Sequence, residues 1–167
     1  MKSLVIYTTR SGNTKVIAEA IAETMRGRGD VELFDADLTP TPLPASDLIF
    51  IGGPTERHKL TPSMSRFLDG LAPGSLRGTA TAAFDTRVQW PRFLSGSAAD
   101  DIAKRLRAAD ARIVAQAESF FVRVDHDLGY LLEPGELNRA ATWAAEVADE
   151  VNVNVDVDVD VAVGRLT

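Results

Sequence analysis

The stretch Leu4-Val5-Ile6-Tyr7-Thr8-Thr9-Arg10-Ser11-Gly12-Asn13-Thr14 decides the fold. Residues 3–8 form a nearly unbroken apolar run, the pattern of a parallel strand buried on both faces. The run gives way abruptly to hydroxyls, a glycine and an asparagine. Val16, Ile17, Ala20, Ile21, Thr24 and Met25 then recur at helical spacing until Gly27 and Gly29 stop the helix. The stretch reads as strand, tight loop and helix N-terminus. Such a junction aims several backbone N–H groups and the positive end of a helix dipole at one place, which makes an anion site.

The same alternation continues outward. Val31-Glu32-Leu33-Phe34 predicts a short second strand. Pro40, Pro42 and Pro44 remove donors and fix φ, so residues 39–44 are a connector. Residues 47–51 predict a third strand, ending at Gly52-Gly53-Pro54-Thr55. A helix is expected from about Pro62, with Met64, Phe67, Leu68 and Leu71 on its apolar face. Residues 79–84 predict a fourth strand, rich in small side chains and therefore central, ending at Asp85-Thr86-Arg87-Val88-Gln89-Trp90. Ser97-Ala98-Ala99-Asp100 fits a capping box before a helix that carries Ile102, Ala103, Leu106 and Ala109 on one side. Residues 113–117 and 120–124 predict a fifth, interrupted strand, and residues 125–135 a loop. The last helix is expected over residues 136–150, with Leu137, Ala140, Ala141, Ala144, Val147 and Ala148 facing inward.

Strands alternating with helices over about 150 residues predict an α/β doubly wound sheet. Ligands of such sheets bind outside the carboxyl ends of the strands, at the topological switch point. Three polar loops leave those ends, at residues 8–14, 52–61 and 85–96, so one ligand can touch all three.

Bulk properties narrow the function. A chain of 167 residues suggests one domain. A net charge of −6 argues against nucleic acid as the main partner. There is no cysteine, which excludes disulfides, thiolate catalysis and Cys-ligated metal sites. No apolar run approaches the roughly 18 residues of a membrane span. Met1-Lys2-Ser3 leads directly into the first strand, so no secretory leader and a cytoplasmic location are expected. The expected domain covers residues 1–150. Residues 151–167 form a low-complexity tail of alternating Val with Asn or Asp, for which disorder is expected. As a strand it would add to a sheet edge, and a Ca²⁺ site at Asp156, Asp158 and Asp160 would lack the glycine turns of such loops.

Two phosphate loops are set aside. G-x-x-x-x-G-K-[ST] is absent, and no G-x-G-x-x-G follows the first strand. Thr9-x-Ser11-Gly12-Asn13-Thr14 offers hydroxyls and backbone donors without a lysine, which suits a phosphate monoester that is held and not hydrolysed. This stretch matches [ST]-x-[ST]-G-x-T, the phosphate loop of the flavodoxin family. Gly52-Gly53-Pro54-Thr55 falls where that family places its second flavin loop, and the residues from Asp85 to Trp90 fall where it places the third. Over residues 3–150 the chain resembles a short-chain flavodoxin.

The resemblance implies a five-stranded parallel sheet of order 2-1-3-4-5 and FMN as cofactor. Thr9, Arg10, Ser11, Gly12, Asn13 and Thr14 would wrap its phosphate. Pro54, Thr55 and Glu56 would approach the ring, with Asp85, Thr86, Arg87 and Trp90 on its other side or edge. The implied function is electron transfer of one or two electrons through bound FMN. The implied partners are a reductase and an acceptor protein, and the chain would be a monomer or weak dimer. The chain departs from the family's acidic ring surroundings: Arg57, His58 and Lys59 stand in the second loop, and Arg87 and Arg92 in the third. Cations stabilise an anionic reduced flavin, so a less negative potential than is usual is expected. Trp90 is the obvious stacking side chain, and His58 is the candidate in the second loop, which holds no aromatic.

Two other functions stay open. One is a flavin-free interaction module of the same fold. The other is an NAD(P)H-dependent flavin or quinone reductase, for which no nicotinamide site is visible. No catalytic or metal-ligating residue is assigned. His126 between Asp125 and Asp127 reads as a solvated loop, because three consecutive side chains do not easily converge on one ion. No G-x-S-x-G elbow is present, so Ser95-Gly96-Ser97 is better explained as a helix cap. Trp143 and Phe120-Phe121 are expected to pack.

Overall fold

The computed structural model describes residues 1–56, 59–90 and 96–163. Its sheet runs in the order β2-β1-β3-β4-β6-β7, with β5 also pairing β4. β1 (Lys2–Tyr7), β2 (Asp30–Asp35), β3 (Leu48–Pro54) and β4 (Ala80–Val88) are parallel neighbours. The fifth strand is in two pieces, β5 (Arg112–Ile113) and β6 (Glu118–Asp125), both parallel to β4. The expected order 2-1-3-4-5 holds if the two pieces count as one strand. A further strand, β7 (Gly129–Leu132), pairs antiparallel with β6 inside the segment expected to be a loop.

Alternation along the strands divides the core. Val5 and Tyr7 of β1 join the cluster under α1 (Asn13–Arg26) and α4 (Glu136–Val163), with Ile17, Ile21, Met25, Ala144 and Val147. Leu4 and Ile6 join the opposite cluster, under α2 (Pro62–Asp69) and α3 (Ala98–Ala108), with Met64, Leu68, Ile102 and Leu106. The sheet is thus covered on both faces, which is why β1 reads as continuously apolar. Trp143 packs as expected: it is 8% exposed, and its ring lies 5.5 Å from that of Phe50, 6.2 Å from Phe84 and 5.9 Å from Phe120.

Three boundaries and one inward-facing residue differ from the sequence reading. β3 continues through both glycines to Pro54, and β4 continues to Val88. Asp85, Thr86 and Arg87 are therefore strand residues paired with β6, not loop residues. Leu137, expected to face inward, is 45% exposed, because the buried stripe of α4 starts at Glu136 and continues through Ala140, Trp143, Ala144 and Val147. The last helix does not end near Glu150; its backbone runs to Val163 and forms no strand there. The carboxylates of Asp156, Asp158 and Asp160 lie outside what the structure describes, as do Arg57, His58 and Arg92.

The chain passes from β1 out to β2, then returns to β3 on the other side of β1. This reversal opens a crevice at the carboxyl ends of β1 and β3, where the polar loops gather.

Candidate functional site

Helix starts differ in a telling way. α2 is capped by Thr61, whose hydroxyl accepts from the Met64 N–H at 3.2 Å. α3 is capped by Ser97, which accepts from Asp100 N–H at 3.3 Å, as the sequence predicts. α1 begins at Gly12 and has no side-chain cap. The Gly12 φ of 89° lies in the left-handed region, where glycine has no steric penalty. The turn before it is closed from outside the helix, with Gly12 N–H donating to Thr9 Oγ1 at 3.0 Å. Among the described residues, no side chain caps the first turn of α1, as an anion site requires.

The other two loops are drawn to this point by hydrogen bonds. The Thr8 N–H donates to the Gly52 carbonyl at 3.0 Å, and the Thr55 N–H to the Thr86 carbonyl at 3.0 Å. Arg10 reaches across to Glu56, Nη1 to Oε1 at 3.0 Å. The Thr14 and Thr86 hydroxyls meet at 2.7 Å, and those of Thr8 and Thr61 at 3.0 Å. Glu56 and Lys59 exchange backbone hydrogen bonds of 3.1 and 2.8 Å. Thr9, Arg10, Ser11, Gly12, Asn13, Thr14, Pro54, Thr55, Glu56 and Thr86 therefore stand together at one end of the sheet.

Asp85 and Arg87 are placed differently, both buried within β4. Asp85 Oδ2 accepts from the Thr55 hydroxyl at 2.9 Å, the Ser97 hydroxyl at 2.9 Å and the Ala99 N–H at 3.1 Å. It ties the end of β3 to the start of α3, where a carboxylate is favoured by the helix dipole. Arg87 donates Nε to Ser119 Oγ at 3.1 Å and Nη1 to the Trp90 carbonyl at 2.7 Å, and it lies over the Phe121 ring. Trp90 itself is 62% exposed.

Burial, then the nearby charges of Asp35 and Glu19, push the Tyr7 phenol above its ordinary pKa, so it stays neutral beneath the site.

The hairpin of β6 and β7 supplies a wall that the sequence reading missed. Asn13 Nδ2 donates to the Tyr130 carbonyl at 2.9 Å and to Ser11 Oγ at 3.1 Å. The available signal was Asp127-Leu128-Gly129 between two apolar runs, a turn between strands. Thr61, Ser97 and Ser119 were also not assigned to the site, and they act only as supports. Two surface hollows, of about 490 and 310 Å³, lie around residues 107–116 and 114–150, and neither is lined by the three loops.

Residues 4–77 match the model of the flavodoxin domain family. The fold is flavodoxin-like. A flavodoxin of Aquifex aeolicus (strain VF5) is 35% identical over 95 residues, which span 53% of this chain and 51% of that protein, about half of each. A flavodoxin structure from the domain Archaea superposes with a TM-score of 0.74 at 22% identity, covering 91% of this chain and 99% of that one. Oxidised Flavodoxin 1 from Bacillus cereus gives 0.74 at 22% identity, covering 89% and 98%. The resemblance to the flavodoxin family drawn from the sequence thus holds in both sequence and fold. The family match ends before β4.

Proposed function

We propose that this flavodoxin-like chain binds FMN and serves as an electron carrier between partner proteins. The observation that carries the reading is the start of α1: an uncapped helix N-terminus at a left-handed Gly12, with the second and third loops tied to it. The donor set fits a phosphate monoester, because hydroxyls and N–H groups converge there without a lysine. Bound FMN supplies the redox chemistry, accepting and releasing one or two electrons. The chain's residues bind and orient it. Thr9 to Thr14 hold the phosphate, while Pro54, Thr55 and Glu56 border the ring on one side. Trp90, exposed beyond the end of β4, offers an aromatic surface on the other. The Arg10–Glu56 pair joins the phosphate loop to the second loop above the crevice.

Two measurements test this. FMN added to the purified protein should give a shifted flavin spectrum with quenched fluorescence at one equivalent. The loaded protein should consume NADPH only when a separate reductase is supplied. No change in the spectrum refutes the reading and leaves a flavin-free module. Steady NADPH consumption by the protein alone makes it a reductase instead.

A further inference from the structure

The hydroxyls of Thr14 and Thr86 are 2.7 Å apart, with Thr14 1% and Thr86 4% exposed. Each hydroxyl has one proton to give. One of the two protons fills the bond between them. The other has no acceptor, since neither hydroxyl bonds any further atom among the described residues. A buried O–H donor without an acceptor is expensive, so the free proton of this pair is a candidate for a ligand oxygen. The pair stands at the first turn of α1, where the cap is the side-chain-free Gly12.

We propose that Thr86 is a positioning residue for the anion: its hydroxyl donates to Thr14 Oγ1, so that the Thr14 O–H is directed at a phosphate oxygen of the ligand. The proposal rests on the FMN reading above and names a role within the same site. Its direction follows from donor counting. A phosphate dianion only accepts, so a Thr14 that gave its proton to Thr86 would present a lone pair to negative charge. Thr14 belongs to the helix turn whose N–H groups face the anion, whereas Thr86 stands behind it on β4. The end of β4 thus serves the phosphate through Thr14. The backbone carbonyl of Thr86 independently holds the Thr55 N–H at 3.0 Å, and a side-chain substitution leaves that bond in place.

The test compares FMN with riboflavin, which has the same ring and no phosphate. In the full chain, Thr86→Val should cut the preference for FMN over riboflavin by about threefold to tenfold, because the Thr14 O–H keeps its proton but loses the neutral hydrogen bond that orients it toward the phosphate. Thr86→Ser should restore it. Thr14→Val combined with Thr86→Val should lose no more preference than Thr14→Val alone, because Thr86 acts only through the Thr14 hydroxyl. Should Thr86→Val fail to fold by circular dichroism, Thr86→Cys, a poor donor of similar size, carries the same comparison. Equal losses for FMN and riboflavin, or additive losses in the double variant, overturn the proposal. If the unmodified chain binds neither flavin, the FMN reading fails by itself and inorganic phosphate becomes the probe. Phosphate binding that is weakened by Thr86→Val and kept by Thr86→Ser then supports the relay, and binding indifferent to Thr86 overturns it.

Discussion

Single residues carry most of the information at the crevice, and the glycines show how. Gly12 is needed for its conformation: a Cβ there would meet nothing within 4 Å, yet φ is 89°. Gly12→Ala should therefore cost about 1 kcal/mol through the left-handed backbone alone, read from a chemical denaturation midpoint, and should weaken FMN binding because the loop reopens. Gly52 is needed for space. A Cβ there would lie 2.3 Å from the Phe84 ring, a core side chain with 0% exposure. Gly52→Ala should destabilise by roughly 1–3 kcal/mol, as overpacking does, and thermal melting will show it. Both glycines are visible in the sequence, Gly12 as part of the phosphate-loop motif, but neither its left-handed turn nor the crowding at Gly52 is legible there. The Gly52-Gly53 pair looked like part of a ligand loop; it lies inside β3 and makes room for Phe84 and the Thr8 hydroxyl. Period-2 alternation and turn chemistry are local signals, whereas a ring crossing from the next strand is not.

Among the elements, the parallel strands and α1 to α3 were legible because each carries its own pattern and its own stop. The hairpin of β6 and β7 was not. β7 has four residues, and its exposed Tyr130 and half-buried Leu131 and Leu132 give no clean alternation. What holds it is a side chain in its turn: Asp125 Oδ1 accepts from the Asp127 N–H at 3.0 Å and the Leu128 N–H at 2.9 Å. These two bonds, first that from Leu128 and then that from Asp127, hold the Asp125 carboxyl below its ordinary pKa. A depressed carboxylate pKa contributes stability that is present above the unfolded value, about 3.9, and is lost as pH falls through the lower folded value. Hydrogen exchange at the Asp127 and Leu128 amides should accordingly be protected at neutral pH. Protection beyond the intrinsic pH trend should fall in the acid range, and Asp125→Ala should abolish it at every pH. Because Asn13 is bonded to Tyr130, the same variant should loosen the phosphate loop. Protection unchanged in the variant would show that the turn holds without its carboxylate. The last helix was misread for a different reason: strict alternation of Val with Asn and Asp has no helical period, yet the backbone continues from α4 without a break to Val163.

At the scale of the molecule, topology does what no single motif can. The reversal between β1 and β3 brings together loops more than forty residues apart, and Arg10 with Glu56 and Thr14 with Thr86 mark the joins. The acidic chain nonetheless places a buried arginine, Arg87, at the end of β4. A cation there favours a negatively charged reduced cofactor, so Arg87→Met should make the potential of the FMN-loaded protein more negative by roughly tens of mV. Potentiometric titration reads it, and an unchanged potential would place Arg87 in a purely structural role with Ser119 and Phe121. The order of the three loops and their shared end of the sheet were legible from the sequence. That Asp85 and Arg87 are strand residues turned into the protein was not, because burial is decided by β6 and α3, which arrive from later in the chain. The central claim is that FMN is held by its phosphate at the start of α1. Diffraction from crystals grown with saturating FMN tests it most directly. Phosphate density should lie within hydrogen-bonding distance of residues 9–14, with the ring between Thr55 and Trp90. Crystals without flavin, or with the phosphate bound elsewhere, would contradict it.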